Sequence, residues 1–296
     1  MQIVKYSKIY ISISAILLIG SALTLGFWGL NLGIDFTGGS LMEIEFLVER
    51  PDNQIIQEKL TDLNLGQINI QPTGENGLIL RLKDIDEITH QQILENIGIS
   101  TIVEKRFESI GPLIGAELKR KAIWAIGLAL IAIILYIAWS FRKISRPFAS
   151  WQYGLMAIIS LFHDIFITLG LFAFLSHFIE IEIGLPFLAA LLTILGYSVN
   201  NSIVIFDRAR ENILRTNWTE FSEVIDLSIN QSLTRCLNTA LTTLFVLLAI
   251  FFLGGETIKY FSLALITGIV IGTYSSVFIT SPLMVVWYNR KYRNKS

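Results

Sequence analysis

Residues 151–175, WQYGLMAIISLFHDIFITLGLFAFL, decide the architecture of this chain. The stretch is long enough to cross a bilayer as a helix, which takes about 20 mostly apolar residues. It carries an adjacent pair of polar side chains, His163 and Asp164, near its centre. Ionisable side chains inside a membrane span usually face a bundle interior or a water cavity, because lipid solvates them poorly. The stretch therefore predicts one helix of a larger membrane bundle.

Five more apolar stretches of this kind occur along the chain. The first of the six is expected to be an uncleaved anchor, because its run is too long for a signal peptide and lacks a small-x-small cleavage site. The six predicted spans are Ile9–Trp28, Ala122–Ser140, Trp151–Leu175, Gly184–Phe206, Ser232–Leu253 and Tyr260–Tyr288.

The composition of all 296 residues agrees with an integral membrane protein. Hydrophobic residues make up 53%, the mean hydropathy is +0.59 and charged residues are only 16%, whereas a soluble domain carries about 25% charged residues. The net charge of −1 and the single cysteine exclude a basic nucleic-acid-binding surface and a disulfide-stapled module. The expected fold class is a bundle of six transmembrane helices with a small α+β domain between helices one and two.

Lysine and arginine predict the orientation in the membrane, because they favour the cytoplasmic side. The short loops on the opposite side contain only Lys259. Both termini are therefore expected in the cytoplasm of a bacterial-type plasma (inner) membrane, and a thylakoid-type membrane stays open. Twelve basic residues lie on the proposed cytoplasmic side: Lys5, Lys8, Arg142, Lys143, Arg146, Arg208, Arg210, Arg215, Arg290, Lys291, Arg293 and Lys295.

The predicted domain organisation follows from these spans. A cytoplasmic loop at 207–230 is expected to hold a short surface helix, Glu220–Leu227. The parts are a cytoplasmic N-terminus with the first span (1–30), an extracytoplasmic domain (31–121), a five-helix membrane region (122–288) and a basic cytoplasmic tail (289–296).

The extracytoplasmic domain shows the periodicities of strands and short helices. The Asn76-Gly77 dipeptide accepts positive φ and predicts a hairpin. His90 is the only histidine there, so we expect a rigid binding or docking module without catalytic residues. The order βαββαβ predicts a ferredoxin-like arrangement. Its predicted elements are strand Leu41–Val48, helix Asp52–Leu63, strands Ile68–Ile70 and Leu78–Leu82, helix Glu87–Ile97 and strand Thr101–Phe107.

Polar side chains at helical spacing mark the fourth and fifth spans. We expect the two polar faces to lie opposite each other across the helix pair. Two plainer interpretations stay open: Arg235 could extend to the headgroups, and the hydroxyls could be helix-packing contacts. The polar residues are Tyr197, Asn200 and Asn201 on the fourth span and Arg235, Asn238, Thr239 and Thr242 on the fifth.

A series of motifs resembles the SecD/SecF family of the resistance-nodulation-division superfamily, and the later motifs resemble its SecF members. The family signature falls on Gly33, Asp35, Phe36, Gly38, Gly39, Asp207 and Arg208. The motifs are GIDFTGGS at 33–40, GPLIG at 111–115, FHD at 162–164, LTILGYSVN at 192–200, IVIFDRAREN at 203–212, NQSLTR at 230–235 and GTYSS at 272–276.

This resemblance implies a subunit that pairs with SecD and acts beside the SecYEG channel and the SecA motor. It implies that proton-motive force helps to draw the translocating polypeptide across the lipid bilayer, with no cofactor, metal or nucleic acid. The family arginine falls on Arg235, but Asn201 stands where a carboxylate is expected, so the acid would come from SecD. The ion-coupling candidates are Arg235, Asn201, Asn200, Asp164, Tyr197, Asn238 and Thr242.

Three other functions are alternatives to this one. A scaffold that stabilises SecD without ion coupling stays open, because an amide at Asn201 cannot titrate. A role as half of another exporter of the superfamily is disfavoured, because those exporters usually carry much larger outside domains than this insert of about ninety residues. An intramembrane protease is disfavoured. A serine nucleophile needs a partner base, and His163 is the one histidine in the spans, while the sequence GYSVN at 196–200 lacks the second glycine of a nucleophile turn. We therefore expect no enzyme activity.

Overall fold

The computed structural model describes residues 2–66, 68–142, 150–179, 181–215 and 220–292. It divides into two compact units, residues 1–31 with 124–296 and residues 32–123. The helices are α1 (Ser7–Phe27), α2 (Ile34–Thr37), α3 (Asn53–Leu60), α4 (Glu87–Ile97), α5 (Pro112–Ser140), α6 (Ser150–Ile179), α7 (Leu185–Arg215), α8 (Phe221–Leu253), α9 (Glu256–Ser275) and α10 (Ser281–Tyr292). The strands are β1 (Gly39–Phe46), β2 (Asn69–Thr73), β3 (Gly77–Leu82) and β4 (Ile102–Ile110).

Six helical segments are long and apolar enough to span a membrane, which confirms the predicted number. They comprise α1, α5, α6, α7, α8 and the run through α9 and α10. Half of the most apolar part of α6 and of α7 is buried inside the unit, against only 6% for α5. The run through α9 and α10 is buried to a similar extent, at 56%, so these three segments form the centre of this helical unit.

The structure differs from the sequence prediction at the segment 207–230. Helix α7 continues to Arg215 and α8 already begins at Phe221, so the predicted loop and its short separate helix are absent from the described part. The extensions form because each keeps one buried face: Ala209 on α7 and Val224 and Ile225 on α8 are covered. The prediction failed because hydropathy finds the membrane-spanning part of a helix and misses its amphipathic end.

The last predicted span is likewise not one regular helix. A five-residue π-helix, Ser276–Thr280, separates α9 from α10. The hydroxyls of Thr280 and Ser281 donate to the carbonyls of Ser275 and Ser276, five residues earlier. π-Helical turns inside α-helices are rare and occur often at functional sites.

The second unit contains a four-stranded antiparallel sheet in the order β2-β3-β1-β4. Side chains alternate across it as expected for strands: Leu78, Leu80 and Leu82 of β3 are buried with Met42 and Ile44 of β1. The element order βαββαβ is the predicted one, while its assignment to the ferredoxin-like class stays a prediction. The hairpin between β2 and β3 forms as predicted.

Glycines in this unit permit close backbone contacts. In the β2–β3 hairpin the positive φ lies at Gly74, at +56°, and not at the predicted dipeptide. Gly38 has φ +76°, and a Cβ there would lie 2.7 Å from the Cα of Pro112. A Cβ on Gly115 would lie 2.7 Å from the nitrogen of Gly38. The motifs at 33–40 and 111–115 therefore touch each other, which explains their glycines sterically.

Candidate functional site

A buried acid–base pair lies at the middle of helix α6. Asp164 is completely buried, and its Oδ1 lies 2.9 Å from Nδ1 of His163. The hydroxyl of Ser198 on α7 donates to the other carboxylate oxygen, Oδ2. A buried carboxylate is costly unless it is paired and hydrogen-bonded, and these two partners meet that requirement.

The pair extends toward α1 and α9 through hydroxyl groups. Nε2 of His163 lies 3.0 Å from Oγ of Ser14 on α1. The same Oγ lies 3.5 Å from the hydroxyl of Tyr274 on α9, which donates to the carbonyl oxygen of Tyr10 at 2.9 Å. Four helices thus meet at one connected set of polar groups.

Further side-chain contacts surround this set. Ser160 and Ser275 are 3.0 Å apart, as are Ser202 and Ser276, and Asn201 donates to Thr273 at 3.2 Å. Backbones approach closely here, because a Cβ on Gly272 would lie 2.9 Å from the Cβ of Ser198. We call the whole set the inner polar network: Ser14, Ser160, His163, Asp164, Ser198, Asn201, Ser202, Thr273, Tyr274, Ser275 and Ser276.

A second polar region lies on the exposed face of α8. We call it the outer polar stripe: Arg235, Asn238, Thr239 and Thr242, all exposed. The hydroxyls of Thr239 and Thr242 donate to carbonyls of their own helix at 2.9 Å. Among the residues that the structure describes, no hydrogen bond or ion pair engages the guanidinium of Arg235.

The exposed part of α7 continues this region. Thr193, Gly196 and Asn200 are exposed on α7. A cavity of about 600 Å³ opens between α7 and α8, with Asn200, Ser232 and Arg235 among its lining residues. The cavity and the stripe together form a polar surface on two successive helices.

The predicted ion-coupling residues divide between the two regions. Tyr197 lies beside Thr243 of α8, which is not part of the outer polar stripe, so the predicted facing of the two polar faces stays a prediction. The prediction was wrong for Asn201: its amide is buried against Thr273 of α9 and does not face Arg235. The two asparagines are adjacent on a helix with 3.6 residues per turn, so their side chains point in different directions. Asn201 points inward and Asn200 outward.

The signature residues Asp207 and Arg208 lie at the polar end of α7. Arg208 bonds Gln231 of α8 at 2.7 Å, and Asn212 bonds the same side chain at 2.9 Å. Asp207 is exposed, and its carboxylate lies 3.6 Å from the guanidinium of Arg210. This part of the signature therefore joins α7 to α8. In the other unit, signature residue Phe36 is buried in α2, which begins after Gly33.

Sequence reasoning missed Ser14, Ser198 and Tyr274 as partners of the acid–base pair. A periodic signal existed for Ser14, which lies seven residues before Ser21, on the same face of an otherwise apolar helix. Both serines are buried. Ser198 and Tyr274 lie within the family motifs at 192–200 and 272–276, but nothing in those motifs indicated a contact with the acid–base pair.

His90 of the sheet unit contacts two carboxylates and an aromatic ring. Its ring nitrogens lie 3.2 Å from Glu87 and 2.8 Å from Glu104, and the ring stacks on Phe107 at 3.9 Å. Hydrogen bonds from Gln91 and His90 hold the pKa of the Glu87 carboxyl below its usual value. These contacts attach α4 to β4.

Comparisons with known proteins place the chain in a family. Residues 89–290 match the C-terminal domain of the protein export membrane proteins SecD/SecF, and residues 25–46 match the SecD/SecF GG motif. The protein translocase subunit SecF of Thermobaculum terrenum is 38% identical over 98% of this chain and 95% of its own length. That of Anaerolinea thermophila is 35% identical over 97% and 94%.

The chain belongs to the SecF family of protein translocase subunits. The resemblance drawn from the motifs is thereby confirmed, and the chain is a multi-pass membrane component of protein transport rather than an enzyme. The crystal structure of SecDF from Thermus thermophilus, described as a translocon-associated membrane protein, is similar with a TM-score of 0.83 and 32% identity. The similarity covers 97% of this chain and 38% of that SecDF chain.

Proposed function

We propose that this SecF-family chain pairs with a SecD subunit and helps to export polypeptides with energy from the proton-motive force. In this proposal it acts beside SecYEG and after SecA. Both termini lie in the cytoplasm, and the sheet unit lies on the far side of the membrane. Family membership and the similarity to a SecDF structure support the pairing.

One observation carries the proposal: the exposed guanidinium of Arg235 makes no ion pair among the described residues. The carboxylates of Asp207 and Glu211, which line the same cavity, pair with other arginines. An arginine at the centre of a membrane helix costs about 2.5–3.5 kcal/mol on insertion scales, which is an upper bound for Arg235, about one turn inside the fifth span. A carboxylate from SecD would remove most of this cost. The neighbouring exposed residues Asn200 and Asn238 can bond to the same partner helix, and Gly196 permits its close approach.

The expected role of Arg235 follows from electrostatics. A proton on the SecD carboxylate would remove the counter-charge and release the guanidinium. Moving one charge through a potential of about 100 mV provides roughly 2.3 kcal/mol, which is enough to shift a two-state equilibrium about fiftyfold. Helices α7 and α8 would respond first, because Arg235 and Asn200 line one cavity between them.

Export in cells tests this role. Cells that contain intact SecD and Arg235→Met should export a secreted reporter far more slowly, and Arg235→Lys should retain part of the rate. Arg142→Met is the matched control, since Arg142 lies two residues after the end of α5, over the ring of Trp139. Undiminished export by Arg235→Met, with normal protein levels, would remove Arg235 from the mechanism.

A scaffold function is the second candidate, and Asn201 favours it. Its amide cannot carry a proton, and it is already bonded to Thr273 inside the chain. A scaffold would tolerate Arg235→Met but not deletion of the whole chain, and SecD levels would fall only on deletion. The comparison of substitution with deletion therefore separates the two functions.

A further inference from the structure

The acid–base pair on α6 has no role in the coupling proposed for Arg235. We propose that His163 and Asp164 form a proton-binding site within this chain, and that proton binding there switches a hydrogen bond between α1 and α9. The inference rests on the proposed function, because it gives the chain a site of its own for the coupling proton. The geometry of four side chains carries it.

The first step concerns charge. Asp164 is 0% exposed, lies at the middle of the 30-residue helix α6, and has His163 as its one ion-pair partner among the described residues. An uncompensated carboxylate at this place would be strongly unfavourable. The pair therefore favours a proton count that makes it neutral overall.

Other ionisable groups are too distant to neutralise the carboxylate. On α1 the nearest cation is Lys8, six residues or about 9 Å of helix before Ser14. On α7 the charges begin at Asp207, nine residues after Ser198. Titratable groups on the helices packed against α6 are Lys8 and Tyr10 on α1, Tyr197, Asp207, Arg208, Arg210, Glu211 and Arg215 on α7, and Glu256, Lys259, Tyr260 and Tyr274 on α9.

The second step counts hydrogens along the chain of contacts. Tyr274 donates its only hydroxyl hydrogen to the carbonyl of Tyr10, so its oxygen accepts from Ser14. In the state in which the Ser14 hydrogen points at Tyr274, 3.5 Å away, the Ser14 oxygen can only accept, and its partner at 3.0 Å is Nε2–H of His163. One more proton is needed for the 2.9 Å contact between Nδ1 and Asp164. The pair thus holds two protons, either as imidazolium and carboxylate or as imidazole and carboxylic acid.

The third step follows the loss of one proton to water, which leaves the pair with one negative charge and is therefore the less stable of the two states. The imidazole keeps Nδ1–H, which still donates to Asp164, and Nε2 becomes an acceptor. Ser14 must then turn its hydrogen toward Nε2, so its bond to Tyr274 is lost. Ser198 continues to donate to Oδ2 in both states. Proton release therefore weakens the contact between α1 and α9.

The π-helix follows closely after Tyr274, the residue whose hydrogen bond changes. It begins at Ser276, two residues after Tyr274, and its first hydroxyl bonds Ser202 of α7. An irregular turn absorbs a small rotation of α9 more readily than a regular helix does. The site, the switched bond and a deformable segment are thus contiguous.

Infrared pH-difference spectroscopy on the full-length chain in lipid nanodiscs tests the inference. We expect carboxyl and imidazole bands that titrate together and disappear in both Asp164→Asn and His163→Gln. Ser198→Ala should shift the carboxyl band, because Oδ2 loses its donor. Ser262→Ala is the matched control: it removes a buried serine hydroxyl of α9 that lies outside the inner polar network and donates to the carbonyl of Ile258, and should leave the band in place.

Two results would overturn the inference. One is a wild-type spectrum that superimposes on the spectrum of Asp164→Asn. If Asp164→Asn does not fold, a carboxyl band that does not shift in Ser198→Ala would equally overturn the inference. The other is a band that responds to sodium chloride but not to choline chloride at constant pH, which would make the bound ion Na⁺. The measurement contains no SecD and no export, so normal export by Arg235→Met would refute the proposed function and leave this spectrum unchanged.

Discussion

The inner polar network and the outer polar stripe use similar residues in opposite ways. Both place hydroxyl and amide side chains around one or two ionisable groups in membrane-spanning helices. In the inner network Asp164 is fully buried and bonded to His163 and Ser198 of the same chain. In the outer stripe Arg235 is exposed and lacks a bonded partner among the described residues.

This difference separates two kinds of polar membrane residue. A satisfied internal network stabilises the unit that contains it and can store a proton within the chain. An exposed charge in a span requires a partner from outside, because the bilayer supplies none. The asparagine pair shows both cases at once, with Asn201 in the first class and Asn200 in the second.

The largest expected effect is on the stability of the inner network. Asp164→Ala should lower the free energy of unfolding of the purified chain by about 3–5 kcal/mol, as is typical when one member of a buried pair is removed. Arg235→Ala in the same detergent should change it by less than about 0.5 kcal/mol, as for an exposed residue. Unfolding monitored by circular dichroism checks both, and equal losses would abolish the distinction between the regions.

The adjacent asparagines sharpen the comparison at the next level. Asn201→Leu leaves the hydroxyl of Thr273 without its donor and should cost about 1–3 kcal/mol of unfolding free energy. Asn200→Leu, one residue earlier and exposed, should cost less than about 0.5 kcal/mol. The reverse order in the same unfolding assay would show that the two side chains are misassigned.

Two glycines test the packing of the same faces. A Cβ on Gly272 would press on Ser198, so Gly272→Ala should destabilise the chain by about 1–3 kcal/mol. Gly196, on the exposed side of α7, has open space around it, so Gly196→Ala should stabilise the isolated chain by roughly 0.5–1 kcal/mol. The thermal unfolding temperatures of the two variants should therefore shift in opposite directions. A shift in the same direction would contradict the packing described for these two faces of α7 and α9.

The smallest effect concerns an exposed carboxylate that serves as a reference for Asp164. Hydrogen bonds from the hydroxyl and backbone N–H of Thr89 hold the pKa of Asp86 below its usual 3.8. A lowered pKa stabilises the folded state above the unfolded-state value, and this contribution is lost as pH falls through the folded value. Asp86→Asn should remove this acid sensitivity, seen as amide exchange in the first turn of α4, while keeping the cap. Unchanged acid sensitivity of amide exchange in Asp86→Asn would disprove the role of the Asp86 carboxylate.

Sequence predicted much of the fold because membrane spans and alternating strands leave strong periodic signals. The six spans, the hairpin and the helix Glu87–Ile97 follow from hydropathy and turn residues alone. The amphipathic ends of α7 and α8 and the π-helix did not, since their burial depends on tertiary packing. The candidate site was half predictable: Arg235 and Asp164 stand out as costly residues, whereas the partners of Asp164 and the inward direction of Asn201 are set by helix rotation.

Cysteine cross-linking tests the central claim, that the charge of the outer stripe is neutralised by another polypeptide, most directly. In a Cys236→Ala background, Asn238→Cys would be paired with cysteines along the fourth span of SecD in native membranes. Leu128→Cys, exposed on α5, is the control position. We predict disulfides from Asn238→Cys at positions one helical turn from a SecD carboxylate, and none from Leu128→Cys. Equal cross-linking from both positions, or none from Asn238→Cys while the complex is intact, would contradict the account.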